Sequence, residues 1–349
     1  MFQAFILRMK KAKGTLIKLL IVLSSALLLI ILLFFTNSID ELLYIAKSAK
    51  LYWLAAGFGC MVAYWVLDAV LLHRVARSML ERQPLKNTIR FTMIGQFFNS
   101  LMPLSGAGQP VQAYVMAKDG VKPGHAASII IIKTVLHQLV IVLYSIISFV
   151  FRSGLFAARV PQFYLLFILG VLINSAFLFF YLLFLYKKEA AKKVLFVVFK
   201  LLKKLRLVKD PAKSKGKWEA ELDSFSKGAA NLQKDIKEIF LLIAIQVLQF
   251  TFYFAIPYFI QLAIETKSIL LTDVIAAQAM ITLISLLIPT PGSTGGLEGI
   301  SYLFYGLFFR KNYIISAILI YRIITYYSSV IFGGLFSLLA PEKPLKREK

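Results

Sequence analysis

Charged side chains are scarce in this chain: only 16% of its 349 residues are Asp, Glu, Lys or Arg, against 59% hydrophobic. No soluble core buries that much apolar surface, so the composition excludes a soluble domain and defines an integral membrane protein. Cysteine is scarcer still. The one thiol, Cys60, lies in an apolar run, which excludes a disulfide framework and a thiolate zinc site. Three histidines, His73, His125 and His137, are scattered and form no metal-ligand cluster. Gly295-Gly296-Leu-Glu-Gly299 lacks the lysine and hydroxyl of a phosphate-binding loop, and Ser105-Gly-Ala-Gly108 is no nucleophile elbow in a helical chain. No cofactor, nucleotide or metal is therefore expected. Acidic residues are also few, 17 against 40 basic, for a net charge of +23. The basic residues fall between hydrophobic runs rather than on a polar domain, so their counterpart is the anionic lipid surface, not nucleic acid.

What the chain has in abundance is long apolar runs. Leu16–Phe35, Leu51–Leu72, Ala126–Phe151, Gln162–Tyr186, Ile239–Ile264 and Tyr313–Ala340 each supply the roughly 20 residues needed to cross a bilayer. The first resembles a signal peptide behind Arg8, Lys10, Lys11, Lys13 and Lys18, but it is long enough to span and no cleavage signature follows, so an uncleaved helix is expected. Two further apolar regions are interrupted, Thr88–Gly124 around Pro103 to Pro110 and Ile269–Phe309 around Pro289 to Gly299. Their halves are too short to cross alone, so each predicts a hairpin that enters and leaves by one side.

Lys and Arg concentrate before Leu16, in 73–90, in 187–237 and after Pro341, while 36–50, 152–161 and 265–272 hold few. Both termini are thus expected in the cytoplasm. Span, hairpin and span then run out-to-in and back in one half, and in-to-out and back in the other, which is the pattern of an inverted repeat. The fold class is all-α and polytopic, with about six spans and two broken hairpins. Its expected parts are a basic N-terminus (1–15), the membrane domain (16–340) and a short tail (341–349), with a basic cytoplasmic loop (187–237) between the halves. Within that loop, 192–208 mixes apolar and basic residues as an interfacial helix does, although positive-inside topology explains the same charges. A flexible linker at 210–216 and a short helix ending near Lys237 follow.

Ionisable groups inside spans are expensive to bury, and each is a functional candidate. Lys133 and His137 share a helix face, Arg322 lies in the last span, and Glu298 stands where a helix restarts after the second break. Asp68, near the cytoplasmic end and Arg74, reads as a structural ion pair or a snorkelling side chain. Gly106 and Gly108 in one break, and Pro291, Gly292, Gly295 and Gly296 in the other, allow tight turns and close backbone approach. The helix N-termini beyond them favour a phosphate, with Lys133 and Arg322 as cationic partners and Gln109 and Gln112 as neutral hydrogen-bonding groups. Glu298 either accepts a headgroup amine or pairs with Arg322 in the empty site. The expected ligand is a charged lipid headgroup held where the two breaks meet.

These motifs carry a family resemblance. Gly95-Gln-Phe-Phe-Asn99 leading into Pro103-x4-Gly108-Gln-Pro-x-Gln-Ala-Tyr114, Ile288-Pro-x-Pro-Gly-x-x-Gly-Gly-x-Glu298, and Tyr321-Arg322 followed by Tyr326 and Tyr327 resemble the flippase-like membrane domain of bacterial lysylphosphatidylglycerol synthases, over roughly residues 12 to 340. The resemblance implies a bacterial cell membrane location and movement of aminoacylated phosphatidylglycerol to the outer leaflet, which resists cationic antimicrobial peptides. Glu298 and Arg322 match the family pattern. Full synthases continue into an aminoacyl-transferase domain, whereas this chain stops nine residues after Ala340, so lysine transfer itself is not expected even where family naming would say lysyltransferase. Gln109 and Gln112 stand where some relatives carry a charge, so the lipid can differ.

The reading is a lipid flippase or lipid-binding transporter whose partners are the membrane and an anionic or aminoacylated phospholipid. Transport would be downhill or coupled to an ion or proton gradient. Two rivals remain open: the membrane subunit of a transferase whose catalytic domain is a separate chain, and a scaffold that recruits partners through 187–237. Self-association is also left open.

Overall fold

The computed structural model describes residues 48–80, 83–101, 108–186, 235–264, 269–287 and 295–338. The expected first span Leu16–Phe35, most of the basic loop, the centres of both breaks and the C-terminal tail lie outside them. Every described element is helical: α1 (Leu51–Arg77), α2 (Leu85–Leu101), α3 (Gly108–Lys118), α4 (Pro123–Ala157), α5 (Phe163–Tyr186), α6 (Ile236–Ile264), α7 (Leu271–Ser285), α8 (Gly296–Tyr305), α9 (Ile314–Arg322) and α10 (Ser328–Leu338). A 3₁₀ turn, Lys311–Tyr313, leads into α9, and a π-helical stretch, Ile323–Tyr327, joins α9 to α10, making one long last helix. Five helices are long and apolar enough to cross a membrane, namely α1, α4, α5, α6 and the last helix. All five are spans expected from the sequence. The two interrupted regions fold as the short pairs α2/α3 and α7/α8.

Local chemistry explains where boundaries moved. The α4 helix runs past Arg152, where the apolar run stops, because the Asp273 carboxylate at the start of α7 pairs with that guanidinium. Likewise α1 continues to Arg77, with Arg74 held 3.0 Å from Glu238. The expected short helix ending near Lys237 is corrected at its end, since Ile236 and Lys237 already belong to α6. Asp235 caps that helix by accepting the Glu238 N–H at 3.1 Å.

The two halves are related by inversion. Lys50 N–H at the start of α1 donates to the Ala263 carbonyl at the end of α6, while Arg74 near the end of α1 meets Glu238 near the start of α6, so these corresponding helices are antiparallel. Contacts between elements come in exchanged pairs: α2 packs on α10 as α7 packs on α4, α3 on α4 as α8 on α9, and α1 on α2 as α6 on α7. The cores repeat too. Leu71, Phe91, Met116, Ile129 and Ile132 belong to one apolar cluster, and Ile260, Met280, Tyr305, Ile318 and Tyr321, each 189 residues later, belong to the other. The second cluster is enlarged by Phe156, Val160 and Phe163 from the α4–α5 corner. Helix α5 stands apart from this pairing, packed on α4 and α7 with most of its surface outward.

Disulfide trapping tests the inversion. In a Cys60→Ser background, Lys50→Cys with Ala263→Cys is expected to cross-link on mild oxidation, whereas Lys50→Cys with Glu238→Cys is not. The opposite pattern would mean that α1 and α6 run parallel.

Candidate functional site

Helix restarts build this site. At the second break Gly295 adopts φ +84°, a conformation that side-chain-bearing residues avoid, and α8 begins at Gly296. Glu298, in the first turn, swings back so that Oε2 accepts the Gly295 N–H at 2.6 Å, which satisfies a donor the helix start would otherwise leave open. Its other oxygen, Oε1, accepts from Arg322 Nε at 2.8 Å and Nη2 at 2.7 Å. Arg322 also lies over the Tyr326 ring at 5.4 Å. That ring is placed by the π-helical stretch, a distortion common at functional positions.

The first break is closed by backbone proximity. Gly108 N–H donates to Asn99 Oδ1 at 2.8 Å, and a Cβ on Gly108 would lie 2.6 Å from the Asn99 backbone nitrogen, so only glycine fits between α2 and α3 there. Gln109, the next residue, accepts a short hydrogen bond from the Thr134 hydroxyl on α4.

Lys133 is paired, and its partner decides between the two readings of Asp68 in favour of an ion pair. The ammonium lies 2.8 Å from Asp68 Oδ1 and 2.9 Å from Oδ2, and Gln96 donates to Oδ2 at 3.1 Å. Asp68 therefore neither snorkels nor joins Arg74; it is 2% exposed in an ion pair tying α1 to α4. Lys133, Glu298 and Arg322 are 7%, 7% and 4% exposed, so both cation–carboxylate pairs are buried.

Between the halves lies a cavity of about 580 Å³, lined by α1, α2, α3, α4, α5, α6, α7, α8 and the last helix. Gln109, His137 and Arg322, of the residues singled out from the sequence, line it. Lys133 and Glu298 stand behind its wall in their ion pairs. Gln112 turns toward Gly95 on α2, where its amide nitrogen has no hydrogen-bond partner. Gly108, Gly295 and Gly296 shape the helix starts, and Gly106, Pro291 and Gly292 lie outside the described residues. The sequence reading missed Asn99, Gln138, Asn174, Gln278 and Ser285 on the cavity wall. Gln278 links Tyr321 and Tyr305 at 2.8 and 3.3 Å, and Gln138 donates to Asn174. Their signal was available, since an amide inside an apolar span raises the same question as a charge.

Antiparallel halves, broken helices and a polar cavity between them define a polytopic membrane protein of the inverted-repeat kind. The chain belongs to the family described as the lysylphosphatidylglycerol synthase TM region, whose model matches residues 15–333. It is also similar to a UPF0104 membrane protein of Archaeoglobus fulgidus, 24% identical over 305 residues, covering 86% of this chain and 90% of that protein.

Removing one member of a buried pair strands the other. Asp68→Asn is expected to destabilise the protein by about 3–5 kcal/mol, and adding Lys133→Met to recover most of that loss. Denaturant unfolding in detergent measures both; a double variant no more stable than the single one would show that the pair is not what Asp68 contributes.

Proposed function

We propose that this protein is a lipid transporter that holds a phospholipid headgroup in the central cavity while the acyl chains stay in the bilayer. The observation that carries this reading is the cavity itself: between two inverted halves, amides, hydroxyls and Arg322 share the wall with apolar and aromatic side chains, as a headgroup with its first acyl carbons would require. Asn174, Phe177 and Tyr181 of α5 line the cavity, and Phe177 is 43% exposed, which supports a lateral opening beside α5. On the orientation expected from the Lys and Arg distribution, Phe177 and Tyr181 belong to the cytoplasmic half of α5, while Asn174 and Thr134 to Ile141 lie near the middle of their helices. The opposite end is closed by aromatic packing of Phe156 and Phe163 on Phe304, with ring centroids 5.4 and 6.4 Å apart. The conformation described is then open toward the cytoplasmic leaflet, and exchange of the two halves' arrangements opens the other side.

Arg322 is the headgroup's cationic contact, and Glu298 holds that guanidinium in place in the empty site. The family description names lysylphosphatidylglycerol, which makes that lipid the reference cargo; its arrival in the outer leaflet would lower the negative charge that attracts cationic peptides.

A leaflet-resolved translocation assay in proteoliposomes tests the reading. Arg322→Lys keeps the charge but loses the two-donor geometry on Glu298, and is expected to slow lipid translocation about tenfold with the protein still folded. Wild-type vesicles that move no phospholipid faster than protein-free ones would refute transport.

A further inference from the structure

The charges around the cavity are unevenly presented. Arg322 is the one formally charged side chain among the described residues that line it. Both nearby carboxylates are engaged on both oxygens, Glu298 by Arg322 and Gly295, and Asp68 by Lys133 and Gln96. Neither lines the cavity. The break centres, 102–107 and 288–294, contain no acidic or basic residue. Apart from the imidazole of His137, the rest of the polar lining is amide and hydroxyl, and groups such as Asn99, Gln109, Thr134, Gln138, Gln278 and Ser285 can both donate and accept.

We infer, building on the transport reading above, that the site selects a lipid with one phosphate and an uncharged, hydroxyl-rich headgroup, and disfavours aminoacylated lipids. A phosphate meets Arg322, and hydroxyls exchange hydrogen bonds with amides and alcohols at no charge-burial cost. A lysyl headgroup brings two ammonium groups into a buried space with no unengaged carboxylate among the described residues. To reach one, it must displace Arg322 from Glu298 or Lys133 from Asp68, and its single phosphate then answers only one of the cations, so the site is left with one positive charge in excess. The repeat sharpens the point. Gln109 and Glu298 are 189 residues apart, as are Lys133 and Arg322, so an amide occupies on the cavity wall the place that a carboxylate takes in the other half.

The required chemistry has two lipid sources, a glycerophospholipid with a polyol headgroup and a polyprenyl-phosphate sugar. Competition against fluorescent phosphatidylglycerol on the purified full chain in detergent micelles distinguishes them, using phosphatidylglycerol, a polyprenyl-phosphate hexose and lysylphosphatidylglycerol as competitors. One of the first two is expected to bind at least about tenfold more tightly than the lysyl lipid. Gln109→Glu adds a carboxylate where the Thr134 hydroxyl donates equally well, and is expected to tighten lysyl-lipid binding about tenfold. Wild-type protein that binds the lysyl lipid as tightly as either neutral-headgroup lipid overturns this inference and leaves the transport reading standing. Failure to bind any of the three overturns both.

Discussion

Hydrocarbon offers no partner to a charge or an open backbone group, and this constraint organises the molecule. The buried charges around the cavity are answered from within the protein. Lys133 is answered by Asp68, Arg322 by Glu298, and the Gly295 N–H by Glu298 again. Each ion pair joins two helices, α1 to α4 and α8 to α9, so satisfying a charge and fixing a helix position are one event. The desolvation penalty makes such pairs poor sources of net stability but strict judges of geometry, because a partner lost is a charge stranded.

The same constraint governs how much of the structure could be read from sequence. Span positions were legible because crossing length is set by bilayer thickness, and the five described long helices match their expected runs. Inversion was legible because Lys and Arg choose sides, and the Lys50–Ala263 and Arg74–Glu238 contacts agree with it. Helix ends were less legible. A charged residue such as Arg152 looks like a stop, and only tertiary structure reveals that Asp273 lets the helix pass it.

Within the site, legibility divides by chemistry. The Glu298–Arg322 pair was anticipated because both residues are conspicuous in apolar surroundings. For Asp68 the ion-pair alternative was legible but its partner was not, because that partner, Lys133, is 65 residues away on α4. The amides were overlooked because neutral side chains raise no alarm in a composition count. Yet Gln278, Gln138 and Asn174 build much of the polar wall, and their hydrogen bonds tie helices together as the ion pairs do.

Symmetry supplies the last constraint. Paired clusters such as Leu71/Ile260 and Met116/Tyr305 mean that each half contains the apolar plug needed to close its own end. The plugs are unequal. One holds Met116 and Ile132 where the other holds Tyr305 and Tyr321, and the second also gathers Phe156 and Phe163 from the α4–α5 corner. Aromatic side chains bury the most area per residue, so the second cluster holds its end of the molecule with more contact area than its counterpart does. In the transport reading, the opposite state must separate the Phe156–Phe163–Phe304 contacts and close an end built mostly from aliphatic side chains. The inequality therefore biases the resting equilibrium toward the conformation described, and a headgroup can reverse that bias only through contacts it makes better in the other state.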